Sequence, residues 1–159
     1  DTAQAEGGRV VVDGREREFD GDGFFLGASL VDDVQRGTKV YDDEIFGPVL
    51  SVVRTDSYDD ALAMINENPY GNGCAIFTRD GGAARRFQFD VICGMVGVNV
   101  PIPVPVSYYS FGGWKSSLFG DTAIYGPAGI DFYTRTKAVT SRWPDPATSR
   151  VDLGFPQTR

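Results

Sequence analysis

A chain of 159 residues with 42% hydrophobic content is long enough for one well-cored domain and too short for two. A net charge of −7 without any long Lys/Arg block excludes the electrostatic footprint of a nucleic-acid binder. The absence of histidine removes Ser-His-Asp and Cys-His catalysis and the histidine-containing zinc patterns, and two cysteines alone make no metal site. No apolar segment approaches the length of a membrane span, and "DTAQAEGGRV" has neither the basic start nor the apolar stretch of a signal peptide, so a soluble, intracellular protein is expected.

In chain order, "GGRVVVDG" is a β-branched run closed by Asp13-Gly14, and "GFFLGASLVDDV" is a second extended candidate after the "DGDG" turn. The run Val49 to Val53 is short, apolar and β-branched, which predicts a buried strand. From Ser57 to Asn68 the period changes. Ser57 is an N-cap candidate with Asp60 three positions on, Tyr58, Ala61, Leu62 and Ile65 share one face, and Pro69 stops the helix. "CAIFT" reads as a strand, and Asp80 caps a helix whose Ala84, Phe87 and Val91 lie together. "GMVGVNV" is the next strand. The order from residue 49 to residue 100 is β-α-β-α-β, which predicts an α/β fold with parallel strands and helices packed on the sheet. "PIPVPVSYYSFGGWKSSLFGD" holds three prolines in five residues and a Gly-Gly, so a long ordered loop is expected. "FYTRTKAVTSRW", residues 132 to 143, regains β texture, and the remaining tail is irregular.

Two features bear on chemistry. In "DDEIFGPVLSVV" a carboxylate, an aromatic ring and a Gly-Pro turn stand just before a strand, where sites tend to be built. On its own the segment reads first as a turn with a solvated Glu44. Cys74 and Cys93 lie in apolar surroundings, "GCAIF" and "VICGM", with no histidine to serve as a base, which suits structural thiols.

Taken in order, "EIFGPVLSVV", "NPYGNGCAIFTRD", "GMVGVNVPIPVPVSYYSFGGWKSS" and "FYTRTKAVTSRW" resemble the C-terminal third of aldehyde dehydrogenases over nearly the whole chain. "VNVPIPVPV" followed by "SFGGWKSSLFGD" is similar in particular to the methylmalonate-semialdehyde branch, which makes an acyl-CoA. The resemblance implies the βαβαβ portion of that family's catalytic domain over residues 1–131 and an oligomerisation strand and tail over 132–159. It implies that Glu44 holds the nicotinamide ribose of NAD and that Phe46 packs near the nicotinamide. A carboxylate accepts from a ribose diol, which suits the first role.

Phe111 and Asn99 match family positions near the substrate pocket. For Phe111 an ordinary core aromatic is the alternative. For Asn99 the alternative is a strand-end residue whose amide ties down the next loop. The family nucleophile is an upstream cysteine in a context that neither Cys74 nor Cys93 matches, so no catalytic residue is expected within these residues and the piece alone is expected to be inactive. A semialdehyde and CoA are the implied substrates, in a homo-oligomer of the cytoplasm or, in a eukaryote, the mitochondrial matrix. The competing expectations are a stand-alone assembly module without chemistry and a CoA-independent, hydrolytic member of the family. "GAS" at 27 to 29 departs from the Pro-Thr pair that the family often carries there.

Overall fold

The computed structural model describes residues 1–145 and residue 147. A short helix α1 (Thr2–Ala5) leads into β1 (Arg9–Val12), and a single 3-10 turn at Gly14–Glu16 follows, where Asp13 accepts from the Arg15 amide. Strand β2 (Ser29–Asp32), helix α2 (Lys39–Asp42) and strand β3 (Val49–Ser51) complete the first layer. The sheet order is β1-β2-β3, with β1 antiparallel to β2 through a bulge between Val10 and Val12, and β3 parallel to β2.

The second extended candidate is therefore shorter than the sequence suggests. Only Ser29–Asp32 pairs, and Phe24, Phe25 and Leu26 stand exposed ahead of it. The expected burial of Val49 to Val53 also fails for β3. Leu50 is 63% exposed, because β3 is a sheet edge with one neighbour and its outer face is uncovered.

One carboxylate fastens this layer. Asp32 is buried, and its Oδ1 accepts from Arg54 Nε at 3.0 Å and from the Asp33 amide at 2.8 Å. Its Oδ2 accepts from Arg54 Nη2 and from Arg9 Nη2, both at 2.7 Å. The centre strand thus grips β1 on one side and the chain leaving β3 on the other.

Helix α3 (Tyr58–Glu67) begins where Ser57 Oγ accepts from the Asp60 amide at 3.1 Å, and Asn68-Pro69 ends it. Strands β4 (Tyr70–Gly71) and β5 (Gly73–Ile76) follow, then helix α4 (Gly81–Asp90), capped by Asp80 Oδ1 on the amides of Gly82 and Ala83. Strand β6 (Met95–Val98) runs parallel to β5 in the register Gly73↔Met95 to Ile76↔Val98. The core is Leu62 from α3, Phe87 from α4, Val91 and Cys93, with Tyr58, Ile65, Cys74, Ile76 and Val96 against it. The β-α-β-α-β order is present as β3-α3-β5-α4-β6, and the class is α/β. The three strands do not share one sheet, however, since β3 pairs with β2 while β5 and β6 form a separate pair.

After β6 the proline-rich segment forms the expected irregular loop, broken only by β7 (Trp114–Lys115), which pairs antiparallel with β4. Helix α5 (Gly126–Tyr133) then takes Phe132 and Tyr133, which the sequence assigns to a strand. Pro127 at its start and the left-handed Gly126, whose missing Cβ leaves room for the Ser110 amide, set the helix before the β-branched run can begin. The division expected between 131 and 132 falls inside α5, and residues 134–145 are exposed without regular structure. Of the strand expected at 132–143, the first two residues lie in α5 and the rest pair with no strand among the described residues. The end of the tail lies outside the described residues. None of the helices among the described residues is long and apolar enough to cross a membrane.

Candidate functional site

Glu44 sits in the turn between α2 and β3, on the rim of a cleft of about 720 Å³. Arg36, Tyr41, Asp42 and Asp43 line one side of the cleft, and Glu67, Asn68, Pro69 and Tyr70 line the other. Its carboxylate is exposed and has no hydrogen-bond or ionic partner among the described residues. The one guanidinium in the cleft, Arg36, is engaged by Glu67, so the lining is a set of carboxylates with a single paired cation. Such a lining accepts hydrogen bonds from hydroxyls and repels phosphate.

Phe46 lies two residues on, 94% exposed, with φ of 52°. A bulky residue in the left-handed region is rare and costs backbone strain. Here it turns the ring outward beside Glu44, immediately before Gly47-Pro48 leads into β3. These two residues therefore present a free carboxylate and a free aromatic face together.

Asn99 and Phe111 are elsewhere. Asn99, also left-handed at φ of 56°, ends β6, and its amide is fully engaged with Thr78: Oδ1 accepts from the Thr78 amide at 2.9 Å and Nδ2 donates to the Thr78 carbonyl at 3.0 Å. That is the loop-tying arrangement, and it ties the exits of β5 and β6 to each other. Phe111 is half-buried and stacks on Tyr125, rings 4.7 Å apart and nearly parallel. It borders the loop that precedes β7, away from the Glu44 cleft. The four expected site residues thus form one pair, one strand anchor and one stacked aromatic, and they do not converge on one cavity.

The thiols are inert. Cys93 is buried and donates weakly to the Met95 carbonyl at 3.4 Å, and burial first, then a bond with Cys93, pushes the Cys74 thiol up to about 12. At neutral pH Cys74 carries essentially no thiolate. Both cysteines are free.

Sequence reasoning missed Lys115. Its Nζ donates to the carbonyls of Ile65, Asn66 and Asn68 at 3.2, 2.9 and 2.9 Å, and its own φ is 54°. The sequence shows only half of this: α3 has no basic residue in its last turn to meet its terminal carbonyls, and nothing local says that Lys115 does so.

The sequence profile of the aldehyde dehydrogenase family matches residues 1–139. The malonate-semialdehyde dehydrogenase of Pseudomonas aeruginosa is 57% identical over 98% of this chain, which covers 32% of that protein. The methylmalonate-semialdehyde dehydrogenase of Arabidopsis thaliana, named as acylating and mitochondrial, is 46% identical over 97% of this chain and 26% of its own. Among solved structures, an NAD complex from Sinorhizobium meliloti 1021 described as a methylmalonate-semialdehyde dehydrogenase superposes with a TM-score of 0.85 at 54% identity, over 91% of this chain and 30% of that one. The chain thus spans about a third or less of the length of the proteins it matches.

Proposed function

The chain belongs to the aldehyde dehydrogenase family, and on that premise we propose that it is the C-terminal part of the catalytic domain of an NAD-dependent, CoA-acylating malonate- or methylmalonate-semialdehyde dehydrogenase. The names of the relatives support the substrate class, the acylating plant relative supports CoA as co-substrate, and the NAD complex supports the cofactor. The overall reaction is oxidation of a semialdehyde to an acyl-CoA. The acyl group is carried on a cysteine outside these residues and passed to the CoA thiol.

The observation that carries the reading is the unpartnered Glu44 carboxylate beside the outward Phe46. NAD, when bound, supplies the hydride acceptor. Glu44 accepts hydrogen bonds from hydroxyls of the nicotinamide ribose, and the phosphate-repelling lining keeps the diphosphate end out of this cleft. Phe46 limits where the ring lies, which holds the reacting centres in register. Phe111 contributes a wall of the substrate pocket, and Asn99 holds the strand ends behind it. Residues 134–143, exposed and unpaired among the described residues, pair with a partner subunit in a homo-oligomer. The setting is the cytoplasm, or the mitochondrial matrix in a eukaryote.

In the whole protein, Glu44→Gln keeps side-chain length and exchanges a charged acceptor for a neutral one, a loss of roughly 1.5–3 kcal/mol for a charge-assisted bond. The single-turnover burst of NADH is expected to fall about tenfold or more, with NAD affinity changed by less than about threefold. An unchanged burst would assign Glu44 to the surface and remove the central support for this reading.

A further inference from the structure

We infer that Lys115 is a positioning residue that couples the wall of the Glu44 cleft to the loop carrying Phe111. The inference rests on the site reading given above, and its geometry is independent of that reading. Three of the cleft's lining residues, Glu67, Asn68 and Pro69, are the last residue of α3 and the two that follow it. A helix end leaves carbonyls without intrahelical donors, and α3 carries no basic residue of its own to meet them. Lys115 supplies what is missing. Its ammonium spends all three protons there, on the carbonyls of Ile65, Asn66 and Asn68 at 3.2, 2.9 and 2.9 Å. A cation at a helix C-terminus is also favoured by the helix dipole.

The neighbours of Lys115 make the same connection through the backbone. Tyr70, the next lining residue, pairs with Lys115 in the β4-β7 ladder, the Ser116 amide donates to the Pro69 carbonyl at 3.0 Å, and the Gly71 amide donates to Ser117 Oγ at 3.1 Å. Four consecutive residues, Trp114 to Ser117, are therefore fixed to the stretch from Ile65 to Gly71. Phe111 lies three residues ahead of this anchor, with only Gly112 and Gly113 between. The two glycines are themselves packed, since a Cβ added at Gly94 would meet the Gly112 carbonyl and one at Gly113 would meet Ser117, so the short link to Phe111 runs in a fixed course from where Trp114 and Lys115 are pinned. The left-handed backbone of Lys115 is strained for a residue with a Cβ, and the three carbonyl bonds hold it there.

Loss of the ammonium should disturb both sides at once. In the whole protein, Lys115→Met is expected to raise KM for the semialdehyde by about tenfold and to weaken NAD binding severalfold, with kcat changed less than either, while Lys115→Arg restores most of both. Val31→Ala, a buried change in β2 at a residue that lines neither cleft nor loop, serves as the control for stability alone. The inference is overturned if Lys115→Met leaves KM and NAD affinity at wild-type values, whatever its melting temperature. If Lys115→Met does not fold, Lys115→Gln, which keeps a neutral donor, carries the same comparison, and wild-type KM and NAD affinity in it also overturn the inference. A silent Glu44→Gln would instead sink the site reading. An effect at Glu44 with none at Lys115 would sink this inference alone.

Discussion

Asp32 collects four hydrogen bonds in a buried position, two of them from one guanidinium, and Arg54 first, then the Asp33 amide, holds its carboxyl below the ordinary 3.8. Asp13, bonded by Arg15, is brought down to about 2. A depressed carboxyl pKa stabilises the fold fully above the unfolded value, and that contribution disappears as pH falls through the folded one. The urea midpoint of the protein should therefore lose stability on acidification between about pH 4 and pH 2. Asp32→Asn should lower the midpoint at neutral pH and flatten that acid limb, since both arginines lose their shared anion. An acid limb identical to wild type would show that the cluster contributes nothing to it. None of this is visible to a sequence reader, because Arg9, Asp32 and Arg54 meet only once β1, β2 and the exit of β3 lie side by side.

The helices were the most legible elements, since their signals are local. Ser57 and Asp80 are read as caps from a few neighbouring residues, and each caps as expected. Ser57→Ala and Asp80→Ala should each cost about 1 kcal/mol in chemical denaturation, and the pair about 2 kcal/mol because the caps belong to different helices. A double variant no less stable than either single would contradict that independence. The strands were legible as segments and not as sheets. Val49 to Ser51 has the composition of a buried strand, yet its cover is set by which strands come to lie beside it, and composition carries no such information. The start of the tail differs for a related reason. Phe132 and Tyr133 are good strand residues that a start set by Gly126 and Pro127 draws into α5. At the proposed site, Glu44 and Phe46 are brought together by the chain itself, only Ile45 standing between them. The role of Lys115 was not legible, since its acceptors lie 47 to 50 positions earlier in the chain.

Large apolar side chains such as Phe24, Leu50 and Ile102 stand exposed, which suits surfaces seated against other polypeptide. Residues 134–143 are the place where the proposed oligomer makes a specific claim. Ending the whole protein after Tyr133 should reduce its mass per particle in light scattering, because a partner subunit's strand edge would lose its hydrogen bonds. An intact particle mass would make the segment an ordinary surface tail. A different consequence follows from the short ladder between β4 and β7. Gly71 faces Trp114 across it, so the chain enters and leaves the β5-α4-β6 portion at one point. Everything between forms a closed loop with its own helix and parallel strand pair, and its Phe87, Val91 and Cys93 share one core with Leu62 of α3. Opening it as a cooperative unit means releasing both that core and the two-residue ladder. Lys115, seated in the ladder and bonded to the end of α3, holds both attachments at once.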